Sequence, residues 1–157
     1  MDEMTSEPRP RRGSQGEVRV TRLLQAPREL VFKAWIDADQ VAAWWAPDDY
    51  EIPRETVEIE PHAGGRIHFT MVNQSGTVYP VRFEIVEISE PELLVLASDP
   101  MPDIGLVHPM ITRALFETRG KDTLLTVTQT PHTDETQDGA TAGWTESLDK
   151  LEKLLRP

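Results

Sequence analysis

The segment GATAGWTESLDKLEKLL, residues 139–155, carries the clearest helical pattern in the chain. Its large apolar residues follow one another at offsets of four, three and four: Trp144, Leu148, Leu151 and Leu155. This spacing places them on one face of a helix, and charged residues occupy the opposite face. A helix with a single apolar face has to bury that face against other elements. We therefore expect the rest of the chain to supply a surface that covers it.

Six segments upstream of this helix have the composition and alternation of β-strands. They span residues 55–60, 66–72, 77–88, 93–98, 110–117 and 123–130. Turn-forming residues separate them, and the last separator, residues 119–122, is short enough for a hairpin. Because sequential strands usually lie next to each other, the pattern predicts an antiparallel meander.

The region before these strands predicts one more strand and two short helices. From Glu17 onward, apolar and polar residues alternate as in a half-buried strand. Pro27 suits the first position of a helix that continues to about residue 37. A second helix through QVAAWW has to end near Pro47, because the residue before a proline is disfavoured in helices.

Together these elements predict an α+β fold. A bent antiparallel sheet of about seven strands packs around one long C-terminal helix, and two short helices follow the first strand. The chain has 157 residues, which suits a single domain, and we assign residues 17–157 to it. Residues 1–16 are rich in proline, glycine and charge and have little to bury, so we expect a disordered N-terminal tail.

Composition narrows the classes of partner and site. Sixteen Lys and Arg against 27 Asp and Glu give a net charge of −11, which disfavours nucleic acid as a partner. We expect a cytoplasmic protein, because no stretch has the length and apolarity of a membrane span and no secretory signal is recognisable. Cysteine is absent, and the four histidines and the carboxylates form no recognisable motif. We therefore predict no metal, no cofactor and no catalytic residues.

Four segments of the chain resemble a known family. VFKAWIDADQVAAWWAP, PHAGGRIHFTM, EIVEISEPELLVL and GWTESLDKLEKLL look like successive signatures of the family named for the activator of the ninety-kilodalton heat-shock-protein ATPase. This is the AHSA-type branch of the START-like (SRPBCC) superfamily. The resemblance implies the START-like helix-grip fold, in which a bent sheet grips the C-terminal helix. It also implies a cavity, since superfamily members carry lipids, bind polyketides or plant phenolics, close polyketide rings or sequester toxic metabolites.

Strand alternation predicts which side chains face such a cavity. The candidates from the sheet are Phe69, Tyr79, Phe83, Thr112, Phe116 and Gln129, and those from the helices are Trp35, Trp45 and Trp144. The aromatic rings would pack against a planar ligand. Gln129, with Tyr79 and Thr112, would orient the ligand through hydrogen bonds, because a polar residue on an apolar wall needs a partner.

These residues favour a small-molecule binding protein without catalytic activity. Its ligand would be hydrophobic, either aromatic (polyketide- or flavonoid-like) or a lipid, and would be held for transport or for sequestration in self-resistance.

Two alternatives stay open. A cochaperone-like interaction domain would bind a chaperone, although no segment indicates that partner. A polyketide cyclase-like enzyme would use Arg82, Arg113, Glu117 and His108, provided that the faces of the sheet are inverted. The sequence does not indicate the oligomeric state.

Overall fold

The structure is a computed structural model that describes residues 16–100 and 108–157. The strands are β1 (Gly16–Leu24), β2 (Tyr50–Glu51), β3 (Glu58–Ile59), β4 (Arg66–Asn73), β5 (Val78–Ser89), β6 (Leu93–Ser98), β7 (Met110–Arg119) and β8 (Asp122–His132). The helices are α1 (Arg28–Ile36), α2 (Ala38–Trp44) and α3 (Asp134–Leu155). The predicted tail, residues 1–16, lies outside the described residues except for Gly16, which is already part of β1.

All of these strands belong to one curled antiparallel sheet. Its order is β1-β8-β7-β6-β5-β4-β2, and β3 also pairs with β4. From β4 to β8 each strand pairs with its neighbour in sequence, as the predicted meander requires. Helix α3 packs against β1, β8 and the two short helices. The predicted α+β helix-grip fold, with two short helices after the first strand, is confirmed.

The predicted strand over residues 55–60 is wrong for its first half. The chain instead makes a 3-10 turn over Arg54–Thr56, and only the short strand β3 follows it. The Thr56 side chain explains the turn, because its hydroxyl donates to the carbonyl of Pro53 at 2.7 Å. The same oxygen accepts a hydrogen bond from the amide of Thr70 at 3.1 Å, which ties the turn to β4.

Strand β2 was not predicted, because its two residues lie in a segment that has the composition of a polar loop. Its residues pair with Asn73 and Val72 at the end of β4. A strand this short has too few residues to show alternation. It forms because the edge of β4 is free to pair with it.

Helix α3 begins at Asp134 rather than near residue 139, where its apolar pattern begins. The Thr133 hydroxyl oxygen accepts from the amide of Thr136 at 3.1 Å, and the Thr136 hydroxyl oxygen accepts from the amide of Thr133 at 3.0 Å. This reciprocal capping box satisfies helix-end amides that have no partner within the helix. The first turn is polar, so apolar periodicity could not detect it. None of the described helices combines the length and apolarity needed to cross a membrane.

The core is centred on the ring of Trp35, which is fully buried. Its ring centroid lies 4.9 Å from that of Trp44, 4.8 Å from Trp45, 5.9 Å from Phe116 and 5.8 Å from Trp144. These contacts join α1 to the end of α2, to β7 and to α3. Aromatic rings at such separations add to the stabilisation that burial of their area provides.

Replacing Thr133 by alanine should lower the free energy of unfolding by about 1 kcal/mol, because the helix loses its N-cap. Chemical denaturation followed by circular dichroism measures this change. Thr145→Ala is the matched control, since the Thr145 hydroxyl only donates to the carbonyl of Thr141 one turn earlier in the same helix. Equal destabilisation of the two variants would contradict the assigned cap.

Candidate ligand-binding cavity

A cavity of about 420 Å³ lies between the N-terminal half of α3 and the inner face of the sheet. This volume is within the usual range for small-molecule sites. Much of the wall is aromatic, with the rings of Trp45, Phe69, Phe83 and Trp144. The Trp45 ring is central in this wall, with centroids 5.4 Å from Phe69, 5.8 Å from Phe83 and 5.9 Å from Trp144.

The cavity stays open because α3 presents small residues to it. Gly139, Ala140, Gly143 and Ser147 all line the cavity, and they recur at the spacing of one helix face. A Cβ atom added to Gly139 or to Gly143 would meet nothing within 4 Å. Sequence analysis missed this face, although the spacing of its small residues was visible.

Six of the nine predicted site residues come together at the cavity: Trp45, Phe69, Tyr79, Phe83, Gln129 and Trp144. The other three, Trp35, Thr112 and Phe116, are buried behind the wall. Trp35 and Phe116 pack against each other in the core, and Thr112 accepts a hydrogen bond from Gln129. Direct contact between these three residues and a ligand stays a prediction. In the structure they lie behind the cavity wall and support it.

Tyr79 lies at the rim of the cavity and not in its interior. Its side chain is 47% exposed, and its ring makes an edge contact with Tyr50 at 5.7 Å. The cause is the unequal length of two paired strands, because β6 ends at Ser98, opposite Phe83. The part of β5 that precedes Phe83 therefore extends past the end of β6 and forms the rim.

The inner faces of the central strands are those that alternation predicts. On β7, Thr112 and Ala114 are buried, whereas Arg113 between them is exposed. Glu117 lies on the outer face and forms an ion pair with Arg119. The inner and outer faces of the sheet are therefore not inverted. Inversion was the condition under which Arg113 and Glu117 would belong to a cyclase-like site.

Of the other cyclase candidates, Arg82 reaches the rim of the cavity, and His108 is exposed. Arg82 donates to the carbonyls of Val81 at 3.0 Å and Phe69 at 3.3 Å. Within residues 16–100 and 108–157, no carboxylate forms an ion pair with it. The same part of the chain contains no group of three or more His, Asp or Glu side chains arranged to hold a metal ion.

A buried polar network holds the amide of Gln129 at the cavity wall. Its Nε2 donates to the Thr112 hydroxyl at 3.0 Å, and its Oε1 lies 3.1 Å from His132 Nε2. The amide oxygen can only accept, so His132 Nε2 carries a proton, and His132 Nδ1 accepts from the Thr136 hydroxyl at 2.9 Å. The histidines form no recognisable motif in the sequence, which gives no sign that the His132 side chain is only 3% exposed. Its network connects the cavity wall to the cap of α3.

This network makes the stability of the protein depend on pH. Burial lowers the pKa of the His132 imidazole from its ordinary 6.5, so the folded chain favours the neutral ring. The unfolded chain binds the proton more readily, and the free energy of unfolding therefore falls as pH decreases through the region of 6.5. The pKa of His68 is lowered as well, first by burial and then by Arg82 and Arg66, and it contributes in the same direction.

We expect His132→Asn to reduce the loss of stability between pH 7.5 and pH 5.5, since it removes one of the groups that take up a proton on unfolding. Urea denaturation at several pH values measures the change. His62→Asn, at an exposed position in a turn, is the control and should keep the wild-type slope. If His132→Asn and wild type lose stability in parallel, the assignment of a neutral buried ring is wrong.

Comparison with known proteins agrees with this architecture. The family model described as Activator of Hsp90 ATPase homolog 1-like protein matches residues 25–156. No curated protein matches the sequence.

Solved structures share the fold. CV1439 from Chromobacterium violaceum has a TM-score of 0.80 and 24% identity, over 90% of this chain and 97% of its own. The AHSA1 protein SPO3351 from Silicibacter pomeroyi has a TM-score of 0.74 and 22% identity, over 89% of this chain and 97% of its own. The AHSA1-like protein from Aeromonas hydrophila has a TM-score of 0.69 and 21% identity, over 87% and 90%. Because the family model covers most of the chain, the resemblance seen in the sequence is confirmed, and the chain belongs to the Activator of Hsp90 ATPase homolog 1-like family.

Proposed function

We propose that this protein binds a hydrophobic, aromatic small molecule in the cavity between α3 and the sheet. The observation that carries the proposal is the cavity of about 420 Å³, with a wall of four aromatic rings facing a helix of small residues. Apolar burial contributes roughly 25 cal/mol per Å², so a ligand that fills such a site gains most of its affinity from contact with the rings. Flat ring systems match these walls better than a bulky aliphatic group does.

The small residues of α3 support this proposal because they carry a cost in stability. Glycine within a helix is destabilising by roughly 0.5–1 kcal/mol relative to alanine. Gly139 and Gly143 would tolerate a larger side chain sterically, since the space next to them is empty. Larger residues would fill the cavity. The glycines therefore keep the cavity open, although they make the helix less stable. Residues that lower the stability of their own helix in this way are expected at functional sites.

Binding for transport or sequestration requires nothing beyond these elements. The ligand enters from the side where β5 extends past β6, because the rim residues Tyr79, Pro80 and Arg82 lie there. The exposed Arg82 and Asp99 at this rim leave room for polar substituents in contact with water. The apolar interior then determines affinity, and the rim tolerates variation in the exposed part of the ligand.

The experiment is a ¹H-¹⁵N NMR titration of the four tryptophan indole groups with flavonoids, aromatic polyketides and fatty acids. We expect saturable shifts of the Trp45 and Trp144 signals, because these two indoles line the cavity and those of Trp35 and Trp44 do not. The aromatic compounds should produce the larger shifts. If no compound shifts either signal, the cavity proposal fails and a pull-down for a stoichiometric protein partner becomes the next experiment.

Gly143→Leu should weaken binding at least about tenfold by filling the cavity, without lowering stability, since leucine is a better helix former than glycine. Ala142→Leu is the matched control, because residue 142 is exposed on the same helix and does not line the cavity. The same titration measures affinity, and thermal unfolding measures stability. Equal affinity of the two leucine variants would place the ligand elsewhere.

A further inference from the structure

A second feature of the cavity concerns the hydroxyl of Ser98, at the end of β6. Its Oγ is buried, and it has no hydrogen-bond partner among residues 16–100 and 108–157. A buried polar atom without a partner costs free energy, and in native structures such atoms call for an explanation. One other side-chain atom in the described part of the chain shares this condition, Trp35 Nε1, but it lies in the core and does not border the cavity.

Ser98 belongs to the cavity wall, and rotation of its side chain about the Cα–Cβ bond would bring the covered hydroxyl to the cavity. The sheet register pairs Ser98 with Phe83 on β5 and with Met110 on β7. Residues directly opposite each other in an antiparallel sheet share one face, and all three of these residues line the cavity. Ser98 therefore lies on the inner wall, between an aromatic ring and a thioether, and neither of these can satisfy a hydroxyl group fully.

Two other polar side chains of the inner wall already have protein partners. Ser147 donates to the carbonyl of Trp45 at 2.7 Å, and Gln129 is held by Thr112 and His132. Gln129 retains one N–H of its amide, since Nε2 carries two hydrogens and only one is used. Apart from the indole N–H groups of Trp45 and Trp144, the inner wall thus offers one hydroxyl that can donate and accept, at Ser98, and one remaining donor, at Gln129.

We infer that the Ser98 hydroxyl hydrogen-bonds a polar substituent of the ligand, and that the ligand is an aromatic compound bearing a hydroxyl or carbonyl group, neither a pure hydrocarbon nor a fatty acid. This inference rests on the proposed function and specifies its ligand class. A neutral hydroxyl partner suits a neutral substituent. A carboxylate at this depth would lose its hydration without meeting a cation, because Arg82, the one cationic side chain among the described lining residues, is exposed at the rim.

The test compares flavone with the set of monohydroxyflavone isomers, using the indole titration on wild type, Ser98→Ala and Ser89→Ala. Ser89 is an exposed serine at the far end of β5 and serves as the control. We expect one isomer to bind wild type and Ser89→Ala about three- to tenfold more tightly than flavone, as one neutral hydrogen bond allows. In Ser98→Ala this preference should disappear while the affinity for flavone is unchanged.

Thermal unfolding gives an independent readout, because Ser98→Ala removes an unsatisfied hydroxyl and should leave Tm unchanged or higher. The inference is overturned if no isomer is preferred over flavone, or if Ser98→Ala keeps the preference. In either case, the proposed function would still be supported if flavone binds the wild type and Gly143→Leu abolishes this binding. A lower Tm with equal loss of affinity for all compounds would assign Ser98 a structural role and also overturn it. If neither flavone nor any isomer shifts the Trp45 and Trp144 signals, the proposed function fails and the inference falls with it.

Discussion

The packing of aromatic rings around Trp35 is the interaction on which the other elements depend. Trp35 is fully buried and contacts rings from α2, β7 and α3, so a single side chain of α1 joins the sheet to both of the other helices. The rings of Trp45 and Trp144 each pack against Trp35 in this core and also border the cavity. The wall of the proposed site is therefore the outer surface of the core cluster, and its rigidity follows from close packing behind it.

The two halves of helix α3 have different surroundings. Its C-terminal half buries Leu148 and Leu151 in the core, and Arg22 of β1 forms ion pairs with Asp149 and Glu152 on its outer side. Its N-terminal half presents glycine and alanine to empty space. Because the anchored half holds the helix in place, the glycine and alanine face of the other half can stay open without collapse. A helix with large residues along its whole inner face would close the same fold into a solid core.

The polar network of His132 connects features of two successive elements: the capping box of α3 and the amide of Gln129 on β8. Thr136 belongs to both, since its hydroxyl oxygen bonds the amide of Thr133 and also lies 2.9 Å from His132 Nδ1. The orientation of a polar group at the cavity wall is thus set by the same residues that begin the helix. Networks of this kind hold side chains in one arrangement because each member needs the others for its hydrogen bonds.

The sequence by itself determined the order of the elements, the α+β class and the inner faces of the strands, because these depend on local periodicity of two or of 3.6 residues. It also identified most of the aromatic wall. Only the tertiary structure decided that Trp35 lies in the core while Trp45 borders the cavity, that Tyr79 lies at the rim, and that the Ser98 hydroxyl and the His132 side chain are buried. These outcomes depend on how far one strand extends past its neighbour and on how α3 is rotated over the sheet. Both are set by contacts between residues distant in the chain, and local periodicity carries no information about such contacts.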